Sequence, residues 1–137
     1  MAAWLTQCHN LGIVPSETGV FVRSQTEIPR AVAAVGSAML PYTVLDDRIQ
    51  LRSGHVSIST MHLAKGLEFK AVAVMACDED VIPSLHRIEA VGDDADLDDV
   101  YNTERHLLYV ACTRARDQLL VTGTSPVSEF VDDIMFD

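Results

Sequence analysis

The chain has 137 residues, enough for one domain with a real core, and 48% of them are hydrophobic, well above the level of a disordered segment. Its formal net charge of -10 excludes a DNA-coating protein, because phosphate contacts dominate nucleic-acid affinity and call for a basic face. No apolar run spans a bilayer, the N-terminus lacks the basic and long apolar regions of a secretory leader, and Cys8, Cys77 and Cys112 form no C-x-x-C pair, so a cytoplasmic, membrane-free protein with reduced thiols and neither disulfide nor zinc is expected.

In chain order, Ala2 to Leu11 reads as a short helix ended by Gly12, a left-handed cap. Gly19-Val20-Phe21-Val22-Arg23 reads as a buried strand. Ser24-Gln25-Thr26-Glu27 offers a capping box for an apolar helix from Ile28 to Leu40, with Thr26 as the alternative cap because Pro29 is tolerated only in a first turn. Tyr42 to Leu45 is a short strand before the polar turn at Asp46-Asp47. Val56-Ser57-Ile58-Ser59-Thr60 alternates like a strand, and Ala71 to Ala76 is a continuous apolar run of strand length, as in a parallel sheet covered on both faces. Asp93 to Asp99 reads as an acidic loop. From Leu97 onward, Leu97, Val100, Tyr101, Leu107, Leu108, Ala111 and Ala115 recur at helical spacing, which puts Tyr109 in the core rather than against a base. Gln118 to Thr122 is a last strand, and Ser125-Pro126 caps and starts a last helix.

Alternation of strands and helices predicts a single α/β domain over residues 1–137, with a mostly parallel sheet and helices on both faces. Right-handed crossovers put the carboxyl ends of the strands on one edge, where ligands meet open α/β sheets. Arg23 and Thr60 both fall on that edge.

Two strings carry the chemistry. One is Thr60-Met61-His62-Leu63-Ala64-Lys65-Gly66-Leu67-Glu68-Phe69; the other runs from Thr103-Glu104-Arg105-His106 through Tyr109-Val110-Ala111-Cys112-Thr113-Arg114-Ala115-Arg116. They resemble motifs V and VI of the UvrD/Rep-like superfamily I DNA helicases, and Val20-Phe21-Val22-Arg23-Ser24 resembles the shorter motif IV. The resemblance covers about Gly19 to Phe130 and implies the second RecA-like motor domain of such an enzyme. In the family, ATP lies between two motor domains; the first supplies a phosphate loop and the Mg2+ ligands, and the second supplies arginines. The resemblance thus implies that Arg23 and Arg114 are catalytic and reach the γ-phosphate. It also implies that Glu68 bonds the ribose, that Gly66 lets the backbone pass close to the nucleotide, and that Thr60 and His62 contact single-stranded DNA. Guanidinium suits the first role because it is always charged and meets phosphate oxygens in a bidentate fork. DNA repair is among the processes such helicases serve.

Each residue also has a plainer reading. Arg114 alone would be a cation at a helix carboxyl end, and Arg23 a strand-end surface charge. Glu68 could be solvated or paired with Lys65, His62 could be structural, and Lys65 stays open between phosphate contact, pairing and solvation. A calcium loop starting at Asp94 fails, because its sixth place is Asp99 and its twelfth is Arg105; no metal site is expected. No G-x-x-x-x-G-K-[ST] string occurs, so the chain is expected to be inactive alone. The chain is expected to be an excised domain or a short product without the first motor domain. Only Ser24 to Val56 stands where many relatives carry an accessory domain. The expected partners are that first motor domain and single-stranded DNA, with the isolated chain a monomer. The alternative is a non-catalytic protein-interaction module that keeps the RecA-like fold.

Overall fold

A computed structural model describes residues 1–135 of the chain. The order is α1 (Ala2–Asn10), β1 (Thr18–Val22), α2 (Ile28–Ser37), β2 (Tyr42–Val44), β3 (Val56–Thr60), β4 (Phe69–Val74), α3 (Leu85–Glu89), α4 (Asp94–Cys112), β5 (Ala115–Val121) and α5 (Glu129–Met135). The strands form one sheet in the order β2-β3-β1-β4-β5, and every strand pair in it is parallel. This is the expected α/β architecture, and it sets the carboxyl ends of β1 and β3 side by side, with Val22 registered against Thr60.

The strand period of two divides the core into two layers. Val20, Val22, Val56 and Ile58 face Leu5 of α1 and Ile28, Ala31 and Val35 of α2. Phe21, Phe69, Val72 and Val74 face Leu108 and Ala111 of α4 and Phe130 of α5. Helices therefore cover both faces. The alternation in β3 does not mark a half-exposed strand: Ser57 and Ser59 are buried too, and the Ser59 hydroxyl donates to the Thr60 carbonyl at 3.0 Å.

Five local expectations change. The helical spacing stops with α4 at Cys112, so Ala115 opens β5 instead of continuing the helix. The acidic run is not a loop. Asp93 caps α4, its side chain accepting from the Asp96 amide at 2.8 Å, and Asp94 and Asp96 occupy the first turn, where the helix dipole favours negative charge. Tyr109 is not core; it is 64% exposed on the outer face of α4. The capping box at Ser24 does not form, since no side chain caps there and the Glu27 carboxylate accepts from Arg30 instead. Pro126 does not begin a helix. Residues 125–128 turn back so that Asp78 and Val127 form an antiparallel bridge, and α5 starts at Glu129, with the buried Ser128 hydroxyl accepting from the Phe130 amide at 3.2 Å. Gly12 does adopt the left-handed conformation, at φ +93°. Asp137, at the end of the acidic tail, lies outside the described residues.

Candidate functional site

Arg23 follows the last residue of β1 and turns inward. Its Nε donates to Glu104 Oε1 at 2.9 Å and its Nη2 to Glu104 Oε2 at 2.7 Å. Its Nη1 lies 3.0 Å from Nε2 of His62. Arg23 is 7% exposed and Glu104 is completely buried. Glu104 also accepts from the Ser84 amide and from Arg87 Nη1, the latter at 3.0 Å. Burial pushes the Glu104 carboxyl up, but the bonds from Arg23, Ser84 and Arg87 outweigh it and hold the group below the usual carboxylate range. Burial first, then the Arg23 and Arg87 charges, push His62 below the usual imidazole value against the opposing pull of Glu104. Thr60, the last residue of β3, lies beside this cluster in register and is 7% exposed.

Glu104 escaped the sequence reading, though a signal was present. It lies four residues from both Val100 and Leu108, on the apolar stripe of α4. A carboxylate on a buried stripe needs a cationic partner, so its position alone announces a buried ion pair.

The other predicted residues meet at the opposite, amino edge of the sheet. After the short turn Met61–Leu63 the chain crosses to β4, and Gly66 takes φ +83°, a conformation that side chains rarely tolerate. Arg114 stands between α4 and β5, where its carbonyl accepts from the Phe69 amide at 2.9 Å. Its guanidinium donates to the carbonyls of Val110 and Leu67, at 3.2 and 3.4 Å, and to the Thr113 hydroxyl at 3.2 Å. The Val110 bond is the helix-end contact of the plainer reading. All three acceptors are neutral, and three of the five guanidinium N–H groups are used. Arg114 is part-exposed and makes no ion pair among the described residues. Glu68 pairs with Arg116 at 3.5 Å rather than with Lys65.

The structure thus divides the predicted residues. Gly66, Glu68 and Arg114 gather at the amino edge; Thr60, His62 and Arg23 gather at the carboxyl edge. Arg23 does not stand with Arg114. The two are separated by the length of β4, roughly 20 Å at the ordinary strand rise, and the Arg23 fork is filled by Glu104. One phosphate cannot meet both guanidiniums within this domain. The residues from Thr60 to Phe69 join the two edges directly. A hollow of 1020 Å³ lies elsewhere and is rimmed by Glu79, Asp80, Glu129 and Asp132, a poor seat for a polyanion.

Comparison with known proteins gives the family and the fold. The family model of the UvrD-like helicase C-terminal domain matches residues 37–125, which include both long strings and leave out Arg23. The ATP-dependent DNA helicase PcrA of Staphylococcus aureus (strain MRSA252) is 40% identical over 67 residues, covering 49% of this chain and 8% of that protein. The ATP-dependent DNA helicase Rep of Buchnera aphidicola subsp. Acyrthosiphon pisum is 33% identical over 97 residues, covering 70% of this chain and 14% of that protein. The chain therefore spans a small part of these relatives' length. A crystal structure of the C-terminal domain of a possible DNA helicase from Lactobacillus plantarum WCFS1 shares the fold, with a TM-score of 0.64 at 23% identity, covering 94% of this chain and 67% of that one.

Proposed function

The chain belongs to the family of UvrD-like helicase C-terminal domains, and from that membership we propose that residues 1–137 act as the second RecA-like motor half of an ATP-dependent DNA helicase or translocase. ATP is bound in a cleft against a first motor domain, which supplies the phosphate loop and the Mg2+ ligands. Arg114 reaches the γ-phosphate across that cleft, Glu68 bonds the ribose, and the backbone at Gly66 passes close to the nucleotide. Thr60 and His62 contact the backbone of single-stranded DNA at the other edge. Arg23 is moved from the ATP group to the DNA group, where it supports His62.

The observation that carries this reading is the amino-edge cluster. Arg114 and Leu67 are 47 residues apart in sequence yet hydrogen-bonded. The guanidinium makes no ion pair among the described residues and bonds the chain between Gly66 and Glu68. An arginine held by neutral acceptors keeps both charge and free N–H groups for an incoming anion. Closure of the cleft brings Arg114 to the phosphate as charge develops there, and in NTPases generally an arginine donated across an interface can accelerate hydrolysis by roughly 10³–10⁵. The segment from Thr60 to Phe69 then passes movement at the nucleotide edge to the DNA edge, because it is one short connection between them.

The test joins this domain to a phosphate-loop motor domain in one polypeptide and changes Arg114→Lys. Lysine keeps the charge and loses the planar fork. The expected result is a fall in kcat of about 10²-fold, with ATP affinity changed less and DNA binding without nucleotide unchanged. A kcat within about twofold of the unaltered enzyme removes Arg114 from the site. The acid-rimmed hollow favours a second reading, a non-catalytic interaction module for a basic partner; that module predicts no dependence of ATP turnover on Arg114.

A further inference from the structure

The buried cluster at the carboxyl edge does more than hold α4 against the sheet. An arginine side chain carries donors and no acceptor. Because Arg23 Nη1 lies 3.0 Å from Nε2 of His62, that ring nitrogen must accept, and the proton of the neutral ring must sit on Nδ1. This reverses the tautomer that a free histidine side chain favours in water. The arrangement lasts only while Arg23 is held in place, and Glu104 holds it through two bonds, 2.9 and 2.7 Å long. Glu104 is itself fixed by the Ser84 amide and by Arg87. The charged groups acting on His62 are therefore Arg23 beyond β1, Glu104 on α4 and Arg87 on α3. His62 is otherwise exposed, and its Nδ1 has no protein partner among the described residues.

We propose that Glu104 is a positioning residue that, through Arg23, fixes His62 in the Nδ1–H tautomer and so presents a hydrogen-bond donor at the carboxyl edge of the sheet for a phosphate oxygen of single-stranded DNA. Which nitrogen of a histidine carries the proton is set by the bond the other nitrogen makes. Here the chain of control runs Glu104, Arg23, His62, and it turns an amphoteric ring into a donor aimed at an acceptor-only backbone. A protonated ring is disfavoured because its Nε2–H would face the Arg23 donor. The donor is therefore the neutral Nδ1–H group, and it persists across neutral pH. The DNA half of this proposal rests on the proposed function; the tautomer half does not.

The test reads the two halves separately. In the 137-residue chain labelled with ¹⁵N, long-range ring correlations at pH 7.5 report the tautomer of His62 directly. The expected spectrum has protonated Nδ1 and unprotonated Nε2. Glu104→Gln keeps the volume but loses the charged clasp, and the His62 signals should move toward the mixture seen for a free histidine. Arg23→Met keeps an unbranched stem but has no N–H to donate to the ring, and it should have the same effect if Glu104→Gln fails to fold. A wild-type ring with Nε2–H, or an unchanged tautomer in a folded variant of either kind, overturns the positioning role. In the polypeptide with the first motor domain, His62→Ala should weaken binding of a thymidine oligonucleotide about three- to tenfold. Unchanged binding there, with the tautomer result intact, overturns the DNA contact and leaves the positioning role standing.

Discussion

Glu104 is buried with two arginines and a backbone amide around it, so removing one partner of this cluster leaves an uncompensated charge in the core. Glu104→Ala should cost about 3–5 kcal/mol, the usual result of breaking a buried ion pair from one side, measured as the loss of unfolding free energy in urea. The same group makes the fold acid-sensitive. Its folded carboxyl lies below its ordinary value, so its contribution is fully present above about pH 4.3, the unperturbed value, and is lost as pH falls through the folded value. Asp78, lowered chiefly by its bond from Arg30, shares that acid limb. The melting temperature should therefore hold above about pH 5 and fall below it, with a shallower fall in Glu104→Gln. Parallel acid limbs in the two proteins would clear Glu104 of this role. Arg23 shows what sequence alone withholds. Its place at the end of a strand was readable, but the direction of its side chain depends on Glu104, 81 residues away. The long strings, by contrast, stand out because each is continuous in sequence, but which of their residues meet depends on the fold, as the bond from Arg114 to the Leu67 carbonyl shows.

At the level of elements, patterning gave the strands and helices wherever one local rule acted alone. The apolar run of β4 and the helical spacing in α4 needed no other information. Errors arose where a local rule met a tertiary partner or a competing local one. Asp93 to Asp99 looked like a solvated loop by composition, yet its charges stabilise a helix start. Ser125-Pro126 looked like a helix start, yet the Pro126 carbonyl accepts from the Glu79 amide, and the helix waits for Ser128. The turn after β5 packs so closely that a Cβ on Gly123 would lie 2.5 Å from the Cys77 carbonyl oxygen. That oxygen is backbone and accepts from the Ser128 amide at 2.8 Å, so it has little freedom to move. Gly123→Ala should destabilise by about 1–3 kcal/mol, as overpacking does. Gly36 in α2 is the contrast, since a Cβ there meets nothing within 4 Å. Gly36→Ala should stabilise by about 0.5–1 kcal/mol through helix propensity and the unfolded chain. Urea midpoints that move together for the two substitutions would contradict this account of both sites.

For the molecule as a whole, charge and chain content set the limits of what it does unaided. Acid gathers on the first turn of α4 and around the acid-rimmed hollow, while Arg114, Arg116 and Lys65 sit at the amino edge, so favourable charge for a polyanion is confined to narrow parts of the surface. Among the described residues no helix is long and apolar enough to cross a membrane. The 137 residues contain no phosphate-loop string, and under the proposed function Arg114 with Glu68 and Gly66 would make only one wall of a nucleotide site. Uniform binding energy from one wall is small, and the net charge of -10 adds a repulsion that salt screens only partly. The chain alone should therefore bind ATP at about millimolar affinity or weaker, an interaction of roughly 4 kcal/mol. It should release no phosphate above background, with or without single-stranded DNA. Its DNA affinity should also be low, with a shallow salt dependence, because few phosphates are neutralised and the slope counts them. Calorimetric titration at low salt and a phosphate-release assay on a contaminant-free sample measure all three. Micromolar affinity for ATP, or steady turnover, would mean that a complete nucleotide site is built from these residues alone. The half-motor reading would then fail at its base, since it requires the phosphate loop of a second domain to finish what Arg114 begins.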